Sequence, residues 1–213
     1  DPDFEINDLK GKTIIAGRRG GMPAMTLEYA LKQQGLIAGR DYTLNLEYDF
    51  GMVATVFESG IGDYCTMFEP VASSYQEAGK GAIVASIGAL GGAVPYTGFI
   101  ATQEFLGKNS LKAEQFLRAV YRGYLYLMNA PINDVATALS PSFASTSTSN
   151  IKAAIENYKG LNAFASTPVI NQNNYERLCN IIRNAGELTG SVDFDKVVDN
   201  TIAEKVVNYF GFA

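Results

Sequence analysis

The chain has 213 residues, 47% of them hydrophobic and 18% charged, a balance that supports one or two packed cores rather than a disordered or fibrous chain. Its net charge is −5, its sequence pI is near 4.8 and Arg18-Arg19 is its one basic cluster, so it lacks the footprint of a nucleic-acid binder. Histidine is absent, which excludes His-based acid–base chemistry, Ser-His triads and most zinc sites, and leaves any catalysis to Asp, Glu, Lys, Tyr or Cys.

No apolar run approaches the length of a membrane span. Asp1-Pro2-Asp3 shows no signal-peptide pattern and reads as a mature or trimmed start. Cys65 and Cys179 are the two cysteines; their neighbours are apolar or amphipathic, which points to buried thiols, with a disulfide between them as the alternative.

After a polar lead-in, residues 13–16 form a short apolar run that predicts a strand. A glycine-rich elbow follows, Gly17-Arg18-Arg19-Gly20-Gly21. Pro23 suits a first helical position, because its missing N–H would be unpaired there anyway. Met25, Leu27, Tyr29, Ala30 and Leu31 recur at helical spacing, and Gly35 ends the helix. The N–H groups and partial positive charge at such a helix start can hold an acidic or polar group, although most elbows of this kind bind nothing. Residues 42–48 alternate as a second strand, residues 52–59 form a small helix, and residues 64–68 form a third strand. Glu69-Pro70 opens a helix with proline first, ending at Gly79, and residues 82–87 read as a fourth strand. The first ninety or so residues therefore predict a parallel sheet covered by helices, with loops gathered along the rim beyond the strand C-termini, where ligands bind in such sheets.

Residues 88–95 are glycine-rich but lack the lysine of a P-loop and the spacing of a dinucleotide fingerprint, so a flexible loop is expected before a strand at 96–101. From Gln103 on, the pattern turns helical. A long amphipathic helix is expected at 111–128, a short one at 133–139, a polar connector at 140–149 and a helix at 151–158 capped by Ser149 or Asn150. Further helices run from a cap at Asn173 or Asn174 to Ala185, over 193–199 and over 202–210. Among 12 tyrosines and 12 phenylalanines most must be core, while Phe50, Phe68 and Tyr96 lie in loops where they can instead clamp a flat ligand.

Three segments carry a resemblance in their order: D-L-K-G-K with the elbow and helix, E-S-G-I-G-D-Y-C-T-M-F-E-P at residues 58–70, and P-Y-T-G-F-I-A-T at residues 95–102. Together they resemble bacterial ABC-transporter solute-binding proteins of the NMT1/THI5-like, or SsuA-like, family. The resemblance implies an α/β fold: the parallel-sheet βαβ lobe of a type II periplasmic-binding fold over residues 1–102, followed by a helical C-terminal tail over 103–213. Family members carry further first-lobe sequence before D-L-K-G-K, so the resemblance implies that the first part of lobe 1 is missing, that the tail would pack on it, and that an uncovered surface would favour a homodimer.

The function implied is capture of a small anionic or aromatic solute (a sulfonate, nitrate, a pyrimidine or a related compound) by hinge closure near Asp8 and residues 98–102, and its delivery to a membrane permease and ATPase. The ligand contacts implied are Arg18, Gly20, Gly21 and Met22 at the elbow, Phe50 in the second loop, Glu69 in the E-P segment, and Tyr96. Elbow N–H groups suit an anion or carbonyl, while Glu69 suits a donor such as an amine, or else complements the dipole of its own helix. The location implied is periplasmic or extracellular, with a lipoprotein anchor in the full-length form. No catalytic residue, cofactor or metal is implied. Two other functions share the fold: pyrimidine synthases of the THI5 type, which rely on histidine and a cysteine-rich motif absent here, and effector domains of LysR-type regulators, whose helix-turn-helix is not visible in this chain.

Overall fold

A computed structural model describes residues 3–211. It is an α/β structure with a three-stranded parallel sheet ordered β2-β1-β3, formed by β1 (Thr13–Ile15), β2 (Thr43–Asn45) and β3 (Tyr64–Cys65). Ile14 pairs with Leu44 on one side and with Tyr64 on the other, and Ile15 pairs with Asn45 and Cys65. Both outer strands are shorter than their alternation predicts, and the central strand explains why. Gly17 turns the chain away at φ +87°, so the last bonds to β1 are Ala16 N–H to Asn45 O at 3.2 Å and Thr66 N–H to Ile15 O at 3.0 Å. Beyond them β2 and β3 have no partner to extend along.

Period-two alternation sorts the strand side chains onto two faces. Ile14 and Ala16 meet Ala24, Leu27 and Leu31 of α1 (Met22–Gln33), with Leu9, Leu36 and Tyr42 completing that core. Ile15, fully buried, meets Val53 and Val56 of α2 (Val53–Glu58) on the other face. The helix α1 starts one residue earlier than expected, at Met22, which puts Pro23 second. It ends as expected: Leu36 N–H reaches back to Leu31 O at 2.9 Å across Gly35, whose φ is +84°. Pro70 likewise sits just before α3 (Val71–Glu77) rather than first in it.

The expected strand at 82–87 is absent, and so is that at 96–101. Residues 81–86 lie outside helix or strand and reach α4 (Ile87–Gly91), whose Ile87 supplies the run's contribution to the α1 core. The expected loop at 88–95 is therefore helical through Gly91 and irregular from Gly92 on. Gly91 is buried, and a Cβ there would lie 2.6 Å from Thr26 Cγ2, so glycine lets α4 lie against α1. Residues 96–101 are exposed, Ile100 to 99%.

The remaining helices are α5 (Gln103–Asn129), α6 (Ile132–Leu139), α7 (Thr148–Gly160), α8 (Gln172–Asn184), α9 (Phe194–Val197) and α10 (Thr201–Gly211). The non-helical backbone of Asn109 inside α5 explains why only its later part shows a clear period. Two caps also move: Ser147 Oγ accepts from Asn150 N–H at the start of α7, and Asn171 Oδ1 accepts from Asn174 N–H at the start of α8. Contacts divide the chain into two units. The first holds the described residues up to Ala93 with Cys179–Gly190; the second holds Val94–Leu178 and the described residues from Ser191 on. In the first, Lys32 Nζ donates to Asn184 Oδ1 at 2.7 Å and fixes the inserted segment to α1. In the second, α10 packs along α5, and α6 and α7 share a core of Val135, Ala136, Ile151 and Ile155. Both cysteines are free thiols.

Candidate functional site

The first unit presents a rim where β1 and β3 end and α1 and α3 begin. Four expected contacts stand at the elbow: Arg18 and Gly20 exposed, Gly21 and Met22 half-buried. Gly21 caps α1, so Met22 and Pro23 form its first turn, and Gly21 N–H itself donates to Arg18 O at 3.1 Å. Arg18 and Arg19 have no side-chain hydrogen bond or ion pair among the described residues. Two arginines without an ion pair thus precede a helix N-terminus, an arrangement that favours negative charge or a carbonyl oxygen.

Phe50 forms the neighbouring wall. A Cβ on Gly17 would come within 3.2 Å of its Cδ2, and its ring meets that of Phe68 at 4.8 Å with a 52° tilt. Phe50 also packs against the core of Ile15, Val53 and Val56. The two rings touch each other, forming a single apolar wall whose outer member, Phe68, is 41% exposed.

Glu69 takes up local bonds. One carboxylate oxygen accepts from Ser73 N–H at 3.0 Å and the other from Ser73 Oγ–H at 2.9 Å. This fastens the E-P turn to the first turn of α3 and matches the helix-complementing alternative. Tyr96 is 51% exposed and belongs to the second unit.

Two further groups carry no local sequence signal. Glu187 comes from the inserted segment: its carboxylate lies 3.7–3.8 Å from where a Cβ on Gly20 would sit. The elbow therefore has an acidic group beside Gly20. Thr66, 4% exposed, follows Cys65 in β3; by alternation it shares the α1 face with Tyr64, and its Oγ1 has no hydrogen-bond partner among the described residues. Cys65 lies on the other face, where burial pushes its thiol up to about 11, so it stays protonated at neutral pH and is a poor nucleophile. Among the described residues no three His, Cys, Asp or Glu side chains gather to hold a metal ion, and no helix is long and apolar enough to cross a membrane.

This strand–elbow–helix geometry falls inside a family match: residues 4–133 fit the model described as NMT1/THI5 like. The chain belongs to the NMT1/THI5-like family. It is also similar to a Bacillus subtilis (strain 168) protein named "Putative binding protein YtlA", with 37% identity over 205 residues. That alignment covers 96% of this chain and 61% of the relative, so the chain spans about three fifths of the relative's length. The family match takes in the elbow, Phe50, Glu69 and Tyr96, while Glu187 lies outside it.

Proposed function

We propose that this member of the NMT1/THI5-like family is a solute-binding protein of an ABC importer. In this reading the rim of the first unit is one wall of a capture cleft for a small anionic or aromatic solute. The solute is passed to a membrane permease, and the protein works outside the cytoplasmic membrane, held there by a lipid anchor in its full-length form. The observation that carries the reading is the elbow: Arg18 and Arg19, without side-chain partners among the described residues, stand at the N-terminal turn of α1 beside the paired rings of Phe50 and Phe68. The arginines and helix N–H groups take the charged or carbonyl end of the solute, and the aromatic wall takes its flat face. The family match and the name of the relative support a binding role. A sequence without histidine and a protonated Cys65 support a binder over an enzyme.

The test is a thermal-shift and calorimetric screen of the chain against nitrate, alkyl sulfonates and pyrimidines. One class should raise the melting temperature, and Arg18→Gln with Arg19→Gln should weaken its binding about tenfold or more, the worth of a charge-assisted hydrogen bond. A reaction product from any of these compounds would overturn the reading. So would binding indifferent to both arginines.

A further inference from the structure

The second unit holds a cavity of about 380 Å³ that the rim site does not use, and every lining residue belongs to that unit. Tyr124 from α5, Tyr158 and Lys159 from the last turn of α7, and Asn162, Phe164 and Ser166 from the following loop line it. Its volume lies within the roughly 300–1,000 Å³ of small-molecule pockets.

The walls are set before any ligand arrives. Tyr124 stacks on Tyr121 with the rings 4° from parallel and 5.7 Å apart, and Tyr121 is in turn edge-on to Phe210 of α10 at 5.4 Å. Phe164 meets Tyr158 edge-on at 5.8 Å. It can do so because the chain reverses at Asn162, the one non-glycine residue among those described with positive φ, at 50°; asparagine tolerates that region well. Ala163 N–H then returns to Tyr158 O at 2.9 Å and closes the turn.

Lys159 supplies the charge. Its Nζ donates to Met128 O, in the last turn of α5, at 3.2 Å. Capping the carbonyl end of a helix is an ordinary role for lysine, but it uses one of three N–H bonds. No carboxylate pairs with Lys159 among the described residues. An ammonium with donors to spare, on a residue lining the same cavity as three aromatic rings, matches a flat ring bearing an anionic oxygen.

We propose that this cavity is a second small-molecule site, specific for an aromatic carboxylate whose ring lies among Tyr124, Tyr158 and Phe164 and whose carboxylate pairs with Lys159. The probes are 4-hydroxybenzoate and its uncharged amide, titrated into ¹⁵N-labelled protein. The acid should shift the amide signals of Lys159, Asn162 and Phe164 and leave those of Gly17–Gly21 unmoved. It should bind about tenfold more tightly than the amide, the usual worth of one charge-assisted hydrogen bond. Lys159→Gln should abolish that preference while Phe164→Leu weakens both probes alike, with both variants keeping the wild-type circular dichroism. No shift at millimolar probe, shifts at the elbow instead, or an acid-to-amide ratio unchanged in Lys159→Gln would each overturn the site. The rim reading would stand through any of these results, because it rests on other residues.

Discussion

The two units solve the same packing problem with different materials. The first buries aliphatic side chains on both faces of a small parallel sheet, so its architecture depends on backbone pairing and on close approaches such as Gly91 against Thr26. The second has no strand among its described residues and joins an aliphatic core of Val135, Ala136, Ile151 and Ile155 to aromatic and planar contacts: Arg118 lies 3.7 Å from the ring centroid of Tyr209, Tyr175 meets Phe194, and Asn200 bonds both N–H and C=O of Ile170 at 2.9 and 3.0 Å. The difference shows in where each places the cations of its candidate site. In the first unit Arg18 and Arg19 sit at a chain reversal beyond the strands; in the second, Lys159 donates to the end of α5 and lines a cavity with Tyr124, Tyr158 and Phe164. The first follows from its architecture, because a parallel sheet collects its loops at one rim.

The largest effect should come from the sheet core. Ile15→Ala removes a fully buried side chain and should cost about 2–5 kcal/mol in urea unfolding. If the units are energetically distinct, native-state hydrogen exchange should accelerate in β1, α1 and α2 and leave α6 and α7 protected; equal loss in both would break the comparison. Next, Gly91→Ala should cost about 1–3 kcal/mol by overpacking against Thr26, and Thr26→Ser, which removes the opposing methyl, should recover most of it. Gly20→Ala places a side chain at φ +70° and should cost about 1–2 kcal/mol. Within the second unit, Arg118→Lys keeps the charge but loses the flat contact with Tyr209, a change of about 0.5–1 kcal/mol visible as faster exchange in α10.

Tyr42 gives the smallest effect at neutral pH and a definite one in alkali. Its burial, helped by the negative charges of Glu28 and Asp41, pushes the phenol up to about 12. The neutral ring is the form the fold accepts, so its contribution is intact below about pH 10 and is lost as the pH rises toward about 12. Tyr42→Phe should remove this alkaline loss without lowering stability at pH 7, since the hydroxyl has no hydrogen-bond partner among the described residues. A phenol titration in which all tyrosines ionise together near 10 would contradict it.

Much of the rim is legible in the chain itself. Thr13 to Leu36 contains a strand, a glycine turn, a helix start and a glycine stop within one local stretch, and each signal acts over a few residues. The same locality misleads at 82–87, where an apolar run looks like a strand. A strand exists only if a neighbour offers it a ladder, and the sheet ends at β3. The glycine-rich run misleads for a related reason, since Gly91 makes a close approach to Thr26, more than sixty residues earlier. Glu69 was legible as one of two readings, and its bonds to Ser73 match the one in which it serves the start of its own helix.

The sequence alone determined the order of elements from β1 to α3, the polar elbow with its paired arginines and the lack of histidine chemistry, because these follow from residue type and near-neighbour spacing. Only the tertiary structure decided which runs become strands, that Glu187 reaches the elbow from far along the chain, and that Lys159 lines one cavity with three aromatic residues. Those outcomes depend on which distant segments meet, and no local pattern carries that information.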